Sequence, residues 1–131
     1  MKFLLSGIVL LTLFISCKKE AGDGGNSVIK GKVIVRDYNV FPNNYIEKGA
    51  ADADIFIIYG DDDNAIDDRT RTSYDGSYKF EFLKQGKYRV FIYTEDTALA
   101  NFGNDKALIF ETEIKKNNSE VVLSDIKIFN L

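Results

Sequence analysis

From Val28 onward, apolar side chains recur at every second residue, and this period of two restricts the fold more than anything else in the chain. A strand sends successive side chains to opposite faces, so such a period describes a strand with one face on a core and one in water. Residues 28–36 put Ile29, Gly31, Val33 and Val35 in one phase and Lys30 and Lys32 in the other. Residues 53–59 repeat this with Ala53, Ile55 and Ile57, and residues 69–74 form a shorter polar strand. Residues 77–82 group Tyr78, Phe80 and Phe82; residues 87–93 group Tyr88, Val90 and Ile92; residues 107–114 group Leu108, Phe110 and Ile114. Residues 120–129 close the series with a phase slip between Leu123 and Ile126, which predicts a bulge near Ser124-Asp125. Asp75-Gly76 is a hairpin-turn signal, and Lys84-Gln85-Gly86 and residues 115–119 are further turns. Only residues 97–102 have room for a short helix, and Pro42 falls in a connection. Seven strands in about 100 residues predict an all-β, seven-stranded β-sandwich. Its core is expected on Tyr78, Phe80, Leu83, Tyr88 and Val90, and its outer sheet faces on Lys30, Lys32, Lys79, Glu81 and Arg89.

Composition removes whole classes of chemistry. The 131 residues include no histidine, which excludes Ser-His-Asp triads, Cys-His pairs and histidine-ligated zinc. One cysteine permits neither an intrachain disulfide nor a Cys₄ metal site. A net charge of −3 argues against nucleic acid as a partner. With 45% hydrophobic residues, including 7 Tyr and 10 Phe, the chain has the bulk to bury a core. No cofactor is expected, and the expectation is a protein that is not an enzyme.

The first 17 residues read as an address. Lys2 is followed by an almost wholly apolar run over residues 3–15, the length of a signal-peptide core and short for a membrane span. Phe14-Ile15-Ser16-Cys17 resembles the lipobox of bacterial lipoproteins, in the relaxed form of Bacteroidetes-type sequences, with Phe14 where the usual pattern has Leu. The resemblance implies a signal peptide over residues 1–16, lipidation of Cys17 and a membrane held through that N-terminal lipid. An ordinary secretory signal with an incidental cysteine, or a membrane anchor, is the competing reading. Three glycines and several charges within residues 18–27 suggest a flexible tether over residues 17–27, with the β-sandwich domain over residues 28–131. The expected location is the cell envelope, as an outer membrane lipoprotein; Lys18-Lys19-Glu20 leaves periplasmic and surface orientation open.

Four segments then occur in order: Ile29-Lys30-Gly31-Lys32-Val33; Ala53-Asp54-Ile55-Phe56-Ile57; Thr72-Ser73-Tyr74-Asp75-Gly76-Ser77-Tyr78-Lys79-Phe80; and Leu83-Lys84-Gln85-Gly86-Lys87-Tyr88-Arg89-Val90. Together they resemble the carboxypeptidase regulatory-like domains, relatives of transthyretin (prealbumin) and of Cna-B-type repeats. The resemblance implies a Greek-key, transthyretin-like sandwich. Its motifs are structural and carry no chemistry. The first connection, residues 37–50, is longer than the family usually has.

Five candidate sites follow. Tyr38, Phe41 and Tyr45 stand among Asn43 and Asn44, a composition suited either to a ligand-binding loop or to a cap on the open end of the sandwich. Asp61, Asp63 and Asp67 are a weak metal candidate, since an EF-hand loop starting at Asp61 has Ile66 in place of Gly and Thr72 in place of Glu. Thr97, in Asp96-Thr97-Ala98, resembles the acceptor of Bacteroidetes general O-glycosylation. Some Cna-B-like domains carry a Lys–Asn isopeptide bond, but Lys30 and Lys32 lie in the outward phase, so none is expected to Asn117, Asn118 or Asn130. Nothing in the sequence sets a carboxylate pair in a cleft for glycosidase work. The functional expectation is a non-catalytic binding or assembly module with a protein or glycan partner in the envelope, its site on the loops rather than on a sheet face. The alternatives are a structural accessory subunit without a ligand of its own, or a regulatory subunit or fragment of an envelope enzyme.

Overall fold

A computed structural model describes residues 20–38, 45–95 and 104–130. Along the described chain run β1 (Asp23–Tyr38), β2 (Tyr45–Gly49), β3 (Asp54–Tyr59), β4 (Asp68–Arg71) and β5 (Ser77–Leu83). Then come β6 (Gly86–Glu95), β7 (Asp105–Ile114), β8 (Glu120–Val122) and β9 (Ile126–Asn130). No helix occurs among the described residues. Sheet 1 has β1 as its middle lane. On one flank the antiparallel partners are β5 and then β2; on the other the parallel partners are β8 and then β9. Sheet 2 has the order β4-β3-β6-β7, antiparallel throughout.

The two sheets form a β-sandwich, with the core where their inner faces meet. Ile29 and Val33 of β1, Ile55 and Ile57 of β3, Tyr78, Phe80 and Leu83 of β5 and Tyr88, Val90 and Ile92 of β6 are all buried. Ile114 and Ile126 complete the cluster from β7 and β9. Each such side chain stabilises the fold by about 1.5–3 kcal/mol relative to an exposed position. Buried polar groups join the layers. The Tyr88 hydroxyl accepts the Gly22 N–H at 3.0 Å and donates to the Lys84 carbonyl at 2.7 Å. The Phe129 N–H donates to Thr94 Oγ1 at 2.7 Å, tying β9 to β6.

The period of two places the core residues correctly, and the predicted bulge is present. From Lys30 to Val33, β1 advances one residue less than its partner does from Val122 to Ile126. Val121, Leu123 and Ile128 therefore all pack on the core despite the change of phase.

Four expectations need correction. Residues 23–27, read as tether, begin β1. Their glycines are structural: Gly24 sits at φ +94°, and a Cβ on Gly25 would lie 2.0 Å from the Leu83 carbonyl oxygen. The segment at 45–49, read as part of a long connection, is β2, with Tyr45 opposite Tyr38 on β1. Its side chains are mostly exposed, so no alternation marks it. Phe82 does not join Tyr78 and Phe80: it has φ +58° and is 69% exposed, and Leu83 takes the inward place. There the β1–β5 ladder is irregular, Leu83 standing opposite both Asp23 and Ser27. Asp75-Gly76 does make a tight turn, with Asp75 Oδ1 accepting the Ser77 N–H at 3.0 Å and Gly76 at φ +85°. It joins no hairpin, however, but carries the chain from β4 in sheet 2 to β5 in sheet 1. The suggested helix at 97–102 lies outside the described residues.

Candidate functional site

Two strands of sheet 2 break the alternation in sequence. β3 reads Ile55-Phe56-Ile57-Ile58, and β6 reads Val90-Phe91-Ile92-Tyr93. Apolar side chains on both parities mean an apolar outer face as well as an inner one. Ile55, Ile57, Val90 and Ile92 fill the core, and Phe56, Phe91 and Tyr93 form an aromatic cluster on the outer face. Phe56 and Phe91 are direct cross-strand partners, stacked at 5.1 Å between centroids with 21° between planes. Tyr93 meets both edge-on, at 5.9 Å from Phe56 and 5.7 Å from Phe91. Phe91 is only 6% exposed, whereas Tyr93 is 51% exposed and Ile109, the partner of Phe91 on β7, is 60% exposed. Such ring geometries each contribute about 0.5–1.5 kcal/mol beyond burial.

Charged groups rim this platform. Arg89 holds the 60–64 turn: its Nε donates to the Gly60 carbonyl at 3.2 Å and its Nη1 to Asn64 Oδ1 at 2.7 Å. Its Nη2 donates to the Asp63 carbonyl. Arg71 pairs with Asp54 at 3.0 Å and Asp52 at 3.2 Å. Arg69, on β4, stands directly opposite Phe56 and therefore on the same face.

The sites read from sequence fare differently. Of the aromatic loop, Phe41, Asn43 and Asn44 lie outside the described residues. Tyr38 and Tyr45 are brought together as register partners on β1 and β2. Tyr45 is 44% exposed, with the Arg36 guanidinium 4.7 Å from its ring centroid, so it does not cap the core. Arg36 also bonds Glu47 at 2.6 Å, and this bond holds the Glu47 carboxyl below the usual range. Asp61, Asp63 and Asp67 do not converge: Asp61 pairs with Lys87 at 3.0 Å, and Asp63 and Asp67 accept backbone N–H groups of Ala65 and Tyr59. No set of carboxylates able to hold a metal ion occurs among the described residues. Lys30 points outward to Glu120 at 2.6 Å. Cys17 and Thr97 lie outside the described residues.

Sequence reasoning passed over Phe56, Phe91, Tyr93 and Ile109 because it assigned every outer sheet face to charge. That holds for Lys30, Lys32, Lys79 and Glu81 on sheet 1 and fails for sheet 2. The usable signal was the loss of alternation in β3 and β6.

No family model matches the chain, and no curated protein matches it. Its fold is similar to that of a protein from Pseudomonas aeruginosa named as a "putative carbohydrate binding protein", with a TM-score of 0.50 and 11% identity over 79% of this chain and 91% of that one. At that identity the likeness concerns the fold alone.

Proposed function

We propose that the chain is a non-catalytic binding module of the cell envelope, held to a membrane through a lipid on Cys17 and built on the Greek-key plan of the transthyretin-like, carboxypeptidase regulatory-like domains. The observation that carries the binding role is the outer face of sheet 2, where Tyr93 and Ile109 stand half-exposed beside a stacked pair of phenylalanines. Large apolar side chains gathered on a solvent face mark interaction sites more often than isolated ones do. The fold shared with a protein named for carbohydrate binding agrees with this role. The anchor is supported by the lipobox-like Ser16-Cys17 alone.

Fractionation and sedimentation test the two halves separately. Wild-type chain is expected in the membrane fraction, and Cys17→Ser in the soluble one; a wild type that fractionates as soluble removes the anchor. Purified full-length chain in detergent should co-sediment with delipidated envelope material, and Tyr93→Ser/Ile109→Ser should not, at an unchanged unfolding midpoint. Equal sedimentation of the double variant removes the outer face as the site.

A further inference from the structure

One row of side chains crosses all four strands of sheet 2. Arg69 is opposite Phe56, Phe56 is opposite Phe91, and Phe91 is opposite Ile109. Direct cross-strand neighbours lie about 4.5–5.5 Å apart at their Cβ atoms, so the row is continuous.

The chain has four arginines, and three are committed. Arg36 bonds Glu47, Arg71 bonds Asp52 and Asp54, and Arg89 bonds the 60–64 turn. Arg69 is exposed, and its guanidinium has no hydrogen bond or ion pair among the described residues. The acids beside it in sequence are bound to backbone instead: Asp67 Oδ2 accepts the Tyr59 N–H at 2.7 Å, and Asp68 Oδ1 accepts the Arg69 N–H at 2.7 Å. An aromatic row thus ends in an uncommitted planar cation, the group best shaped to grip a carboxylate by two parallel hydrogen bonds.

The size of the patch limits its occupant. A large side chain offers about 150–250 Å², so two that are half-exposed and a partly covered Phe56 present about 300 Å². A stable protein interface takes about 800 Å² from each partner. A single ring with an apolar face fits the area, and a carboxylate at its edge fits the charge.

We propose that this row binds an anionic sugar: a pyranose ring packs on the exposed Tyr93 beside Phe56, and its carboxylate is held by Arg69. This rests on the reading of the chain as a binding module and names its ligand class.

Full-length chain in detergent is tested by equilibrium binding to polygalacturonate, a uronic acid polymer, and to neutral dextran. Wild type is expected to prefer polygalacturonate by about tenfold or more, with the preference falling as salt rises. Arg69→Gln should remove that preference and leave dextran binding unchanged. Tyr93→Ala should weaken binding to both polymers, and Lys79→Gln, on sheet 1, should change neither. All three positions are exposed, and an unchanged unfolding midpoint confirms that the variants fold. Equal binding of the two polymers, or an Arg69→Gln variant that keeps its preference, overturns the assignment of Arg69 and leaves the binding module standing. Binding to neither polymer by a chain that still sediments with envelope material makes the occupant something other than an anionic sugar. Failure in both assays overturns the module itself.

Discussion

The two outer faces of this sandwich are built on one core and differ in almost everything else. The outer face of sheet 1 over β1 and β5 carries Lys30, Lys32, Lys79 and Glu81, with Lys30 paired to Glu120 and Lys79 to Glu81. Its apolar members, such as Val122 at 65% exposure, are scattered. The outer face of sheet 2 gathers Phe56, Phe91 and Tyr93 into one cluster and buries Phe91 almost as deeply as the core. A strand needs only one apolar face to fold, so the second apolar face of β3 and β6 exceeds what the core requires. That excess is more than the core accounts for, and the proposed binding role rests on it.

The comparison can be tested in order of expected effect. Tyr88→Ala strikes the core that both sheets share and should cost about 3–5 kcal/mol, read as a fall in the urea midpoint. An unchanged midpoint would break the common-core premise. Next comes a matched pair of outer-face truncations. Phe91→Ala should cost about 3 kcal/mol, because the ring is packed although it faces outward, and Lys79→Ala should stay within about 0.5 kcal/mol. Equal costs for the two would erase the distinction between the faces.

A smaller effect comes from Tyr78, whose buried hydroxyl has no hydrogen-bond partner among the described residues. Burial pushes its phenol up to about 12 from an ordinary value of 10.0. The folded chain therefore keeps this proton where the unfolded chain loses it. The corresponding stability is complete below pH 10 and is lost as pH rises from 10 through about 12. Tyr78→Phe should shallow that alkaline slope and leave stability at pH 7 equal or up to about 1 kcal/mol higher, since a buried hydroxyl without a partner is removed. A drop at pH 7 would mean that the hydroxyl is satisfied after all. The smallest effect belongs to the charged face: Lys30→Ala should cost less than about 1 kcal/mol, and less still in high salt. A larger loss, unchanged by salt, would make that face more than a solvated surface.

The β-sandwich was legible wherever one strand face is wet and the other dry, because there the alternation is physical. Ile29, Val33, Tyr88 and Val90 could be placed from their phase alone, and the slip between Leu123 and Ile126 even located a bulge. Legibility failed where that condition fails. β2 has both faces largely in water, so Tyr45 to Gly49 shows no pattern, and Phe82 leaves its phase because of a local irregularity that only the partner strand imposes. Gly24 and Gly25 read as tether because composition cannot separate a glycine of a flexible linker from one held at positive φ or in close contact. The candidate site was missed for the converse reason: Phe56 and Phe91 sit among core residues in sequence, where apolar side chains on both parities erase the contrast that marks an outer face.

The position of β1 also sets an order of events. Its neighbours in sheet 1 come from distant stretches of the chain, β2 and β5 from residues 45–83 and β8 and β9 from residues 120–130. Until Glu120 to Asn130 arrive, the longest strand of the molecule has one flank with no partner along most of its length. Pairings so distant in sequence form slowly, because a long loop must close before any contact rewards it. Sheet 2 draws on residues 54–114 alone and can pair first, whereas this flank of β1 stays open until residues 120–130 dock.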